Sequence, residues 1–355
     1  MEREYKITPY QLFATLFLIK VVTMLTYSNQ FSGSDSIWDY SISAIITFVI
    51  TFILVCPTYF IYKKFPNLNL FRGKLGLIYI IVYGVYYILV ACYFMSIFKL
   101  FITNVMAPYM PLSILSIFTF TLAVYSSAKG IHAVVRTAVI ILFITIISLI
   151  FIYSTLSNKI EVEKFMPVLK NGLSDVFNGV IYFVSRNFGL SIFPVIIPFI
   201  KGDFKKTIIS FNTLLCILSI MVVILSVGAL GNFLETQEFP IYWATKVAEF
   251  GVIRRLDAIY VGIFVSGMFV IISMFLCLFR LVCSNFFMKS SRTISTNIGI
   301  LLLFVFGVAL PKIKTFDYFI YNKFLLLILN LLTAFLLPLI FLLKQINQNR
   351  KETKK

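Results

Sequence analysis

Residues 176–200 read VFNGVIYFVSRNFGLSIFPVIIPFI. The stretch is apolar and long enough to cross a bilayer, which takes about 20 residues. Yet its middle holds Ser185-Arg186-Asn187-Phe188-Gly189-Leu190-Ser191, and Pro194 and Pro198 follow. Proline removes a backbone donor and glycine loosens the chain, so a helix broken near Gly189 is predicted. Within lipid, irregular backbone is tolerated only where protein buries it or it lines a cavity. One reading of the stretch is therefore a midplane site, with Arg186 and freed N–H groups turned to an anionic group. The other is a proline-kinked helix with Arg186 held by a carbonyl network.

The rest of the chain supplies the membrane that this reading needs. Of 355 residues 60% are hydrophobic and 13% charged, and the mean hydropathy is +0.97. A soluble domain carries about 25% charged residues, so soluble catalysis and disorder are excluded together. Apolar runs near 10–28, 41–62, 75–99, 109–126, 132–153, 176–200, 207–230, 257–283, 294–310 and 324–343 predict ten transmembrane helices. The chain reads as one polytopic domain over 1–355 with a basic tail at 344–355. The first run is expected to stay in the bundle as a span, not to be removed as a signal peptide.

Basic residues choose the orientation. The net charge is +17. With the N-terminus inside, 18 of the 31 Lys and Arg fall in cytoplasmic segments and 10 outside, while only four of the 14 acidic residues are inside. That asymmetry predicts both termini in the cytoplasm. It also accounts for the basicity without nucleic acid.

No Asp or Glu lies inside the ten spans, Asp257 standing at the first position of the eighth. Proton-coupled carriers expose an embedded carboxylate, so a carboxylate relay is not expected. His132 is the only histidine, and the five cysteines form no C-x-x-C pair. No enzyme, cofactor or metal site is expected on these grounds.

Three cations remain within spans. Each costs at least about 2.5–3.5 kcal/mol at a helix centre unless it is paired, hydrated or snorkelling. Arg280 lies near the cytoplasmic end of the eighth span, where snorkelling suffices. Lys20 is too deep to escape, and either anchors a substrate carboxylate, replaces a bound cation or pairs with carbonyls. Arg186 is the third.

Transporters built from inverted repeats break corresponding helices in both halves, so the first span should mirror the sixth. It offers Thr23 and Tyr27 but no Gly or Pro between Gln11 and Ser32. Candidate ligand-binding residues are therefore Lys20, Thr23, Tyr27, Arg186, Asn187, Gly189 and Ser191. Tyr83 and Tyr87 on the third span and Ser266 on the eighth join them, with helix packing as the alternative for each.

Ile7-Thr8-Pro9-Tyr10-Gln11-Leu12-Phe13, Gly33-Ser34-Asp35 with Trp38, Lys64-Phe65-Pro66 with Asn69-Leu70, and Gly189-Leu190 with Pro198-Phe199-Ile200-Lys201 together resemble the GerAB family, the permease-like B subunits of spore germinant receptors in the amino acid/polyamine/organocation superfamily. Ile7-Thr8-Pro9-Tyr10-Gln11-Leu12-Phe13 is similar to the family's I-S-P-x-Q-L-F opening. Gly33-Ser34-Asp35 with Trp38 is similar to its G-x-D-x-W, and Lys64-Phe65-Pro66 with Asn69-Leu70 to its R-F-P-x-x-N-L. Gly189-Leu190 and Pro198-Phe199-Ile200-Lys201 resemble its G-F-E and P-F-V-K. Ser191 stands at a family acidic position, Val22-Thr23 at a glycine region, and Arg186 matches no pattern residue.

The resemblance implies an all-α LeuT-like fold of two inverted five-helix repeats, about 7–153 and 176–343, with discontinuous helices 1 and 6. It implies a pocket between spans one, three, six and eight for a small nutrient, typically an amino acid. It also implies A-type and C-type receptor subunits as partners, in the inner membrane of spores. Three functions then compete: a receptor subunit that reads ligand binding as a shift between two states, an amino acid permease, and a scaffold or ion-conducting element of a complex.

Overall fold

A computed structural model describes residues 6–26, 38–65, 70–71, 76–106, 112–161, 163, 169, 172–200, 202, 204–231, 233, 237–250, 253–254, 256–284 and 322–352. The first helix, α1 (Pro9–Leu25), begins where the sequence dictates. The Thr8 hydroxyl accepts from the Gln11 N–H and the Gln11 side chain accepts from the Thr8 N–H, a reciprocal cap with Pro9 just inside it. From Ala14 to Leu25 every residue of α1 is buried. A helix apolar all round belongs at the centre of a bundle, and α1 packs there against the long helices Ile131–Leu156, Phe204–Leu230 and Asp257–Ser284.

Around it stand α2 (Trp38–Lys64), α3 (Gly76–Phe101, extended by a π turn at Ile102–Met106), α4 (Leu112–Ala128) and α5 (Ile131–Leu156). The sixth span is α6 (Leu173–Ser185), a 3-10 turn at Phe188–Ser191, α7 (Ile192–Ile196) and a second 3-10 turn at Ile197–Phe199. Then come α8 (Phe204–Leu230), the short α9 (Pro240–Val247), a hairpin of β1 (Glu249–Phe250) and β2 (Ile253–Arg254), and α10 (Asp257–Ser284). A π turn at Leu332–Leu336 joins α11 (Lys323–Leu331) to α12 (Leu337–Glu352).

Six helices among the described residues are long and apolar enough to cross a membrane, or seven if the bent sixth span counts as one. At 17 residues each, α1 and α4 are shorter than a full crossing. The expected ninth span, 294–310, lies outside the described residues, so ten helices and their repeat are reached only in part. Lipid-facing surface is plain on α5, where Ile140, Phe143, Ile144, Ile147 and Ile150 form one exposed stripe. Their spacing of three and four residues is that of one helix face. The opposite face, with Val134, Ala138, Leu142 and Thr145, is buried.

Two expectations change. Helix α1 runs without interruption through Lys20 and Thr23 and leaves helical geometry only at Thr26, so the break predicted for the first span does not occur within Pro9–Leu25. The lack of Gly or Pro there is sufficient reason. The sixth span, in turn, starts at Leu173 and thereby includes a buried carboxylate, Asp175, in the first turn of α6. A negative charge is favoured there by the helix dipole.

Candidate functional site at the broken sixth span

The break falls where the sequence predicts. Segments Leu173–Ser185 and Phe188–Phe199 meet at 41°. Arg186 caps α6, with its N–H on the Tyr182 carbonyl at 3.3 Å, and Asn187 (φ −87°, ψ 59°) leaves helical geometry. Pro194 and Pro198 cannot donate to the carbonyls four residues before them, so the chain tightens into 3-10 turns on either side of α7. Gly189 contributes space more than backbone freedom. A Cβ there would lie 3.1 Å from Phe211 Cζ on α8 and 3.2 Å from Leu16 Cδ2 on α1.

Helix α1 runs antiparallel to the broken span. Ile7 N–H donates to the Phe199 carbonyl at 2.7 Å, Leu16 faces Gly189, and Lys20 Nζ sits 5.7 Å from the centroid of the Phe183 ring. This register brings Lys20 level with the end of α6. Its ammonium is buried without a hydrogen-bond partner in the structure. On the other side of the same aromatic pair, the Arg186 guanidinium lies 4.1 Å from the Tyr182 centroid and 6.0 Å from that of Tyr93 on α3. Tyr182 and Phe183 meet edge to face at 5.7 Å. Two cations thus flank two adjacent rings, an arrangement each ring's quadrupole favours.

Asn187 is buried and its side-chain N–H₂ has no hydrogen-bond partner in the structure. Tyr87 donates to the Ser191 carbonyl at 2.9 Å, and the Ser191 hydroxyl to the Phe188 carbonyl at 2.8 Å. Arg186, Asn187, Gly189, Ser191 and Tyr87 are therefore gathered at the break, with Lys20 beside Phe183 at the end of α6. Thr23 lies one turn beyond Lys20, but its hydroxyl is bonded to the Ile19 carbonyl within α1. Tyr83 turns instead to the last span, donating to the Thr333 carbonyl at 2.6 Å. Ser266 stands apart, on the wall of a separate, largely apolar cavity of about 610 Å³ between α3, α4, α5 and α10. Tyr27 lies outside the described residues.

The sequence reading missed Asn330. This buried residue of α11 donates through its side-chain N–H₂ to the Ser185 carbonyl and, at 3.4 Å, to that of Val184, while Tyr86 of α3 donates to its Oδ1. It fastens the end of α6 to two other spans. Asn212 on α8, buried with both polar atoms lacking a partner in the structure, was also overlooked. A lone Asn inside an apolar run is the signal that could have found either. Arg280 does more than reach the interface: its Nη1 donates to the Ser127 and Ala128 carbonyls at 3.0 and 2.9 Å and caps α4.

A bundle of helices long and apolar enough to cross a membrane, with one bent span among them, is the architecture of a polytopic membrane protein. The chain belongs to the spore germination protein family of spore permeases, whose family model matches residues 6–315. No curated protein matches it. Among solved structures it is similar to a substrate-bound, outward-open Na⁺-coupled sialic acid symporter. That likeness has a TM-score of 0.64 at 14% identity and covers 93% of this chain and 79% of the other. At that identity the likeness shows a shared fold.

Proposed function

We propose that this chain is the membrane subunit of a spore germinant receptor. It binds a small nutrient of the amino acid class at the break of the sixth span and, with A-type and C-type partner subunits in the spore inner membrane, triggers germination. Both termini face the cytoplasm in this reading. The observation that carries it is the break itself: a buried cation and an unpartnered amide lie where helical hydrogen bonding stops, with a second buried cation beside Phe183 at the end of α6. Lys20, Arg186, Asn187 and Ser191 are each no more than 2% exposed. A ligand reaches them only when the surrounding helices part, so the bundle has open and closed states whose balance binding shifts. A sensor needs that differential binding and nothing more. Membership of the spore germination family supports this role.

The second reading is an amino acid permease that moves a small amino acid or anion, favoured by the fold shared with a Na⁺-coupled symporter. Purified protein in liposomes separates the two. Saturable binding of labelled amino acids without accumulation or exchange supports the receptor. Saturable uptake makes the chain a transporter and gives Lys20 and Arg186 transport roles. No saturable binding at all would remove the site.

A further inference from the structure

The chemistry left open at the break is one-sided. On the α6 side three of the last four carbonyls of the helix already have donors. That of Tyr182 receives the Arg186 N–H and the Ser185 hydroxyl, that of Val184 the Asn187 N–H, and that of Ser185 the Asn330 amide. Beyond the break the Phe188 and Ser191 carbonyls are taken by Ser191 and Tyr87. The groups left without a partner are donors: the Lys20 ammonium and the Asn187 amide. Arg186 adds a second buried positive charge at the same level.

A lone ammonium inside a bundle is costly, and the Phe183 ring offsets only part of that cost. An anion supplies the acceptors that the protein withholds, through charge-assisted hydrogen bonds that are stronger than neutral ones. The ammonium of a neutral zwitterion would be repelled by the two buried cations and would find most of the nearby carbonyls already holding a donor. We infer that the ligand of this site carries net negative charge: an acidic amino acid or a simple dicarboxylate, with Lys20 and Asn187 on its carboxylates and Arg186 completing the positive field. The inference rests on the reading of the break as the ligand site and narrows it to a substrate class.

The test is equilibrium binding to the full-length protein in nanodiscs with four probes: L-glutamate, its neutral isostere L-glutamine, glutarate, which lacks the ammonium, and L-alanine. Glutamate is expected to bind at least about tenfold more tightly than glutamine, with glutarate no weaker than glutamate. Lys20→Met should weaken glutamate by about tenfold or more, while Lys20→Arg, which keeps the charge, stays within about threefold. Thermal unfolding of each variant checks folding. Should Lys20→Met fail to fold, the wild-type glutamate to glutamine ratio decides alone. Glutamine binding as tightly as glutamate, or alanine binding in preference to both, overturns the inference and leaves the site standing. If none of the four binds, the reading of the break as a ligand site fails with it.

Discussion

Replacing Asn330 should detach the end of α6 from the last span, and the cost can be estimated bond by bond. Asn330→Ala removes the donor to the Ser185 carbonyl and the acceptor of the Tyr86 hydroxyl, together with a weaker 3.4 Å contact to Val184. Unsatisfied buried groups cost about 1–3 kcal/mol each in water-soluble cores. Within a bilayer interhelical hydrogen bonds average about 0.6 kcal/mol and reach about 1.7, because the unfolded chain finds partners too. The membrane figures govern here, so two principal bonds predict a loss of about 1–3 kcal/mol. Tyr86→Phe loses one bond and should cost about 0.6–1.7 kcal/mol. Because both variants delete the same Tyr86–Asn330 bond, the double mutant should cost hardly more than Asn330→Ala.

Asn330→Asp sharpens the test. It keeps the volume but replaces the N–H₂ with a carboxyl that is buried either ionised, with an oxygen facing the Ser185 carbonyl, or protonated at a free-energy cost of its own, so it should be less stable than wild type. Reversible SDS unfolding in mixed micelles, followed by circular dichroism, measures all four variants. Strict additivity of Asn330→Ala and Tyr86→Phe would refute the bond on which the clamp depends. An aspartate variant as stable as wild type would refute the donor assignment.

Three further outcomes are expected. Gly189→Leu should impair ligand binding, since even a Cβ would meet Phe211 and Leu16 at 3.1 and 3.2 Å and a leucine must displace one of them; unchanged affinity in titrations would remove Gly189 from the site. Gly267→Ala should cost about 1–3 kcal/mol by driving a methyl into Val22 at the crossing of α1 and α10, with Val22→Ala restoring part of the loss in the same unfolding assay. Arg280→Leu should lower stability by about 1–3 kcal/mol through loss of the α4 cap, and ligand affinity should not change, because Arg280 holds the Ser127 and Ala128 carbonyls at the end of α4, a helix that supplies none of the residues named at the break. A large affinity loss there would mean that α4 takes part in binding.

The apolar runs, the polar interruption at 185–191 and the two prolines made the broken span legible, because each reports a local property of the backbone. Lys20 and Arg186 were legible for a related reason, since a cation in an apolar run is conspicuous wherever it points. What faces what was not legible. Tyr83, Tyr86 and Tyr87 are near neighbours in sequence, yet Tyr87 reaches Ser191 while Tyr83 and Tyr86 reach Thr333 and Asn330. Helical rotation divides them, and only the packed bundle fixes that rotation. Ser266 was grouped with the site on the strength of its span, but it lies on the face of α10 that lines the separate cavity. Asn330 contacts residues about 145 positions earlier in the chain, a relation no local pattern encodes. The break expected in the first span came from symmetry with the sixth and not from its own residues, and α1 is continuous from Pro9 to Leu25.

The central claim is that ligand binds at the break of the sixth span, and Arg186→Ala tests it most directly. Equilibrium binding to wild-type and variant protein would be measured on samples matched for abundance and unfolding temperature. Loss of the guanidinium beside Tyr182 and Tyr93 should weaken binding about tenfold or more while the bundle stays folded. Binding of unchanged affinity by a folded Arg186→Ala protein would contradict the account and place the ligand elsewhere in the bundle.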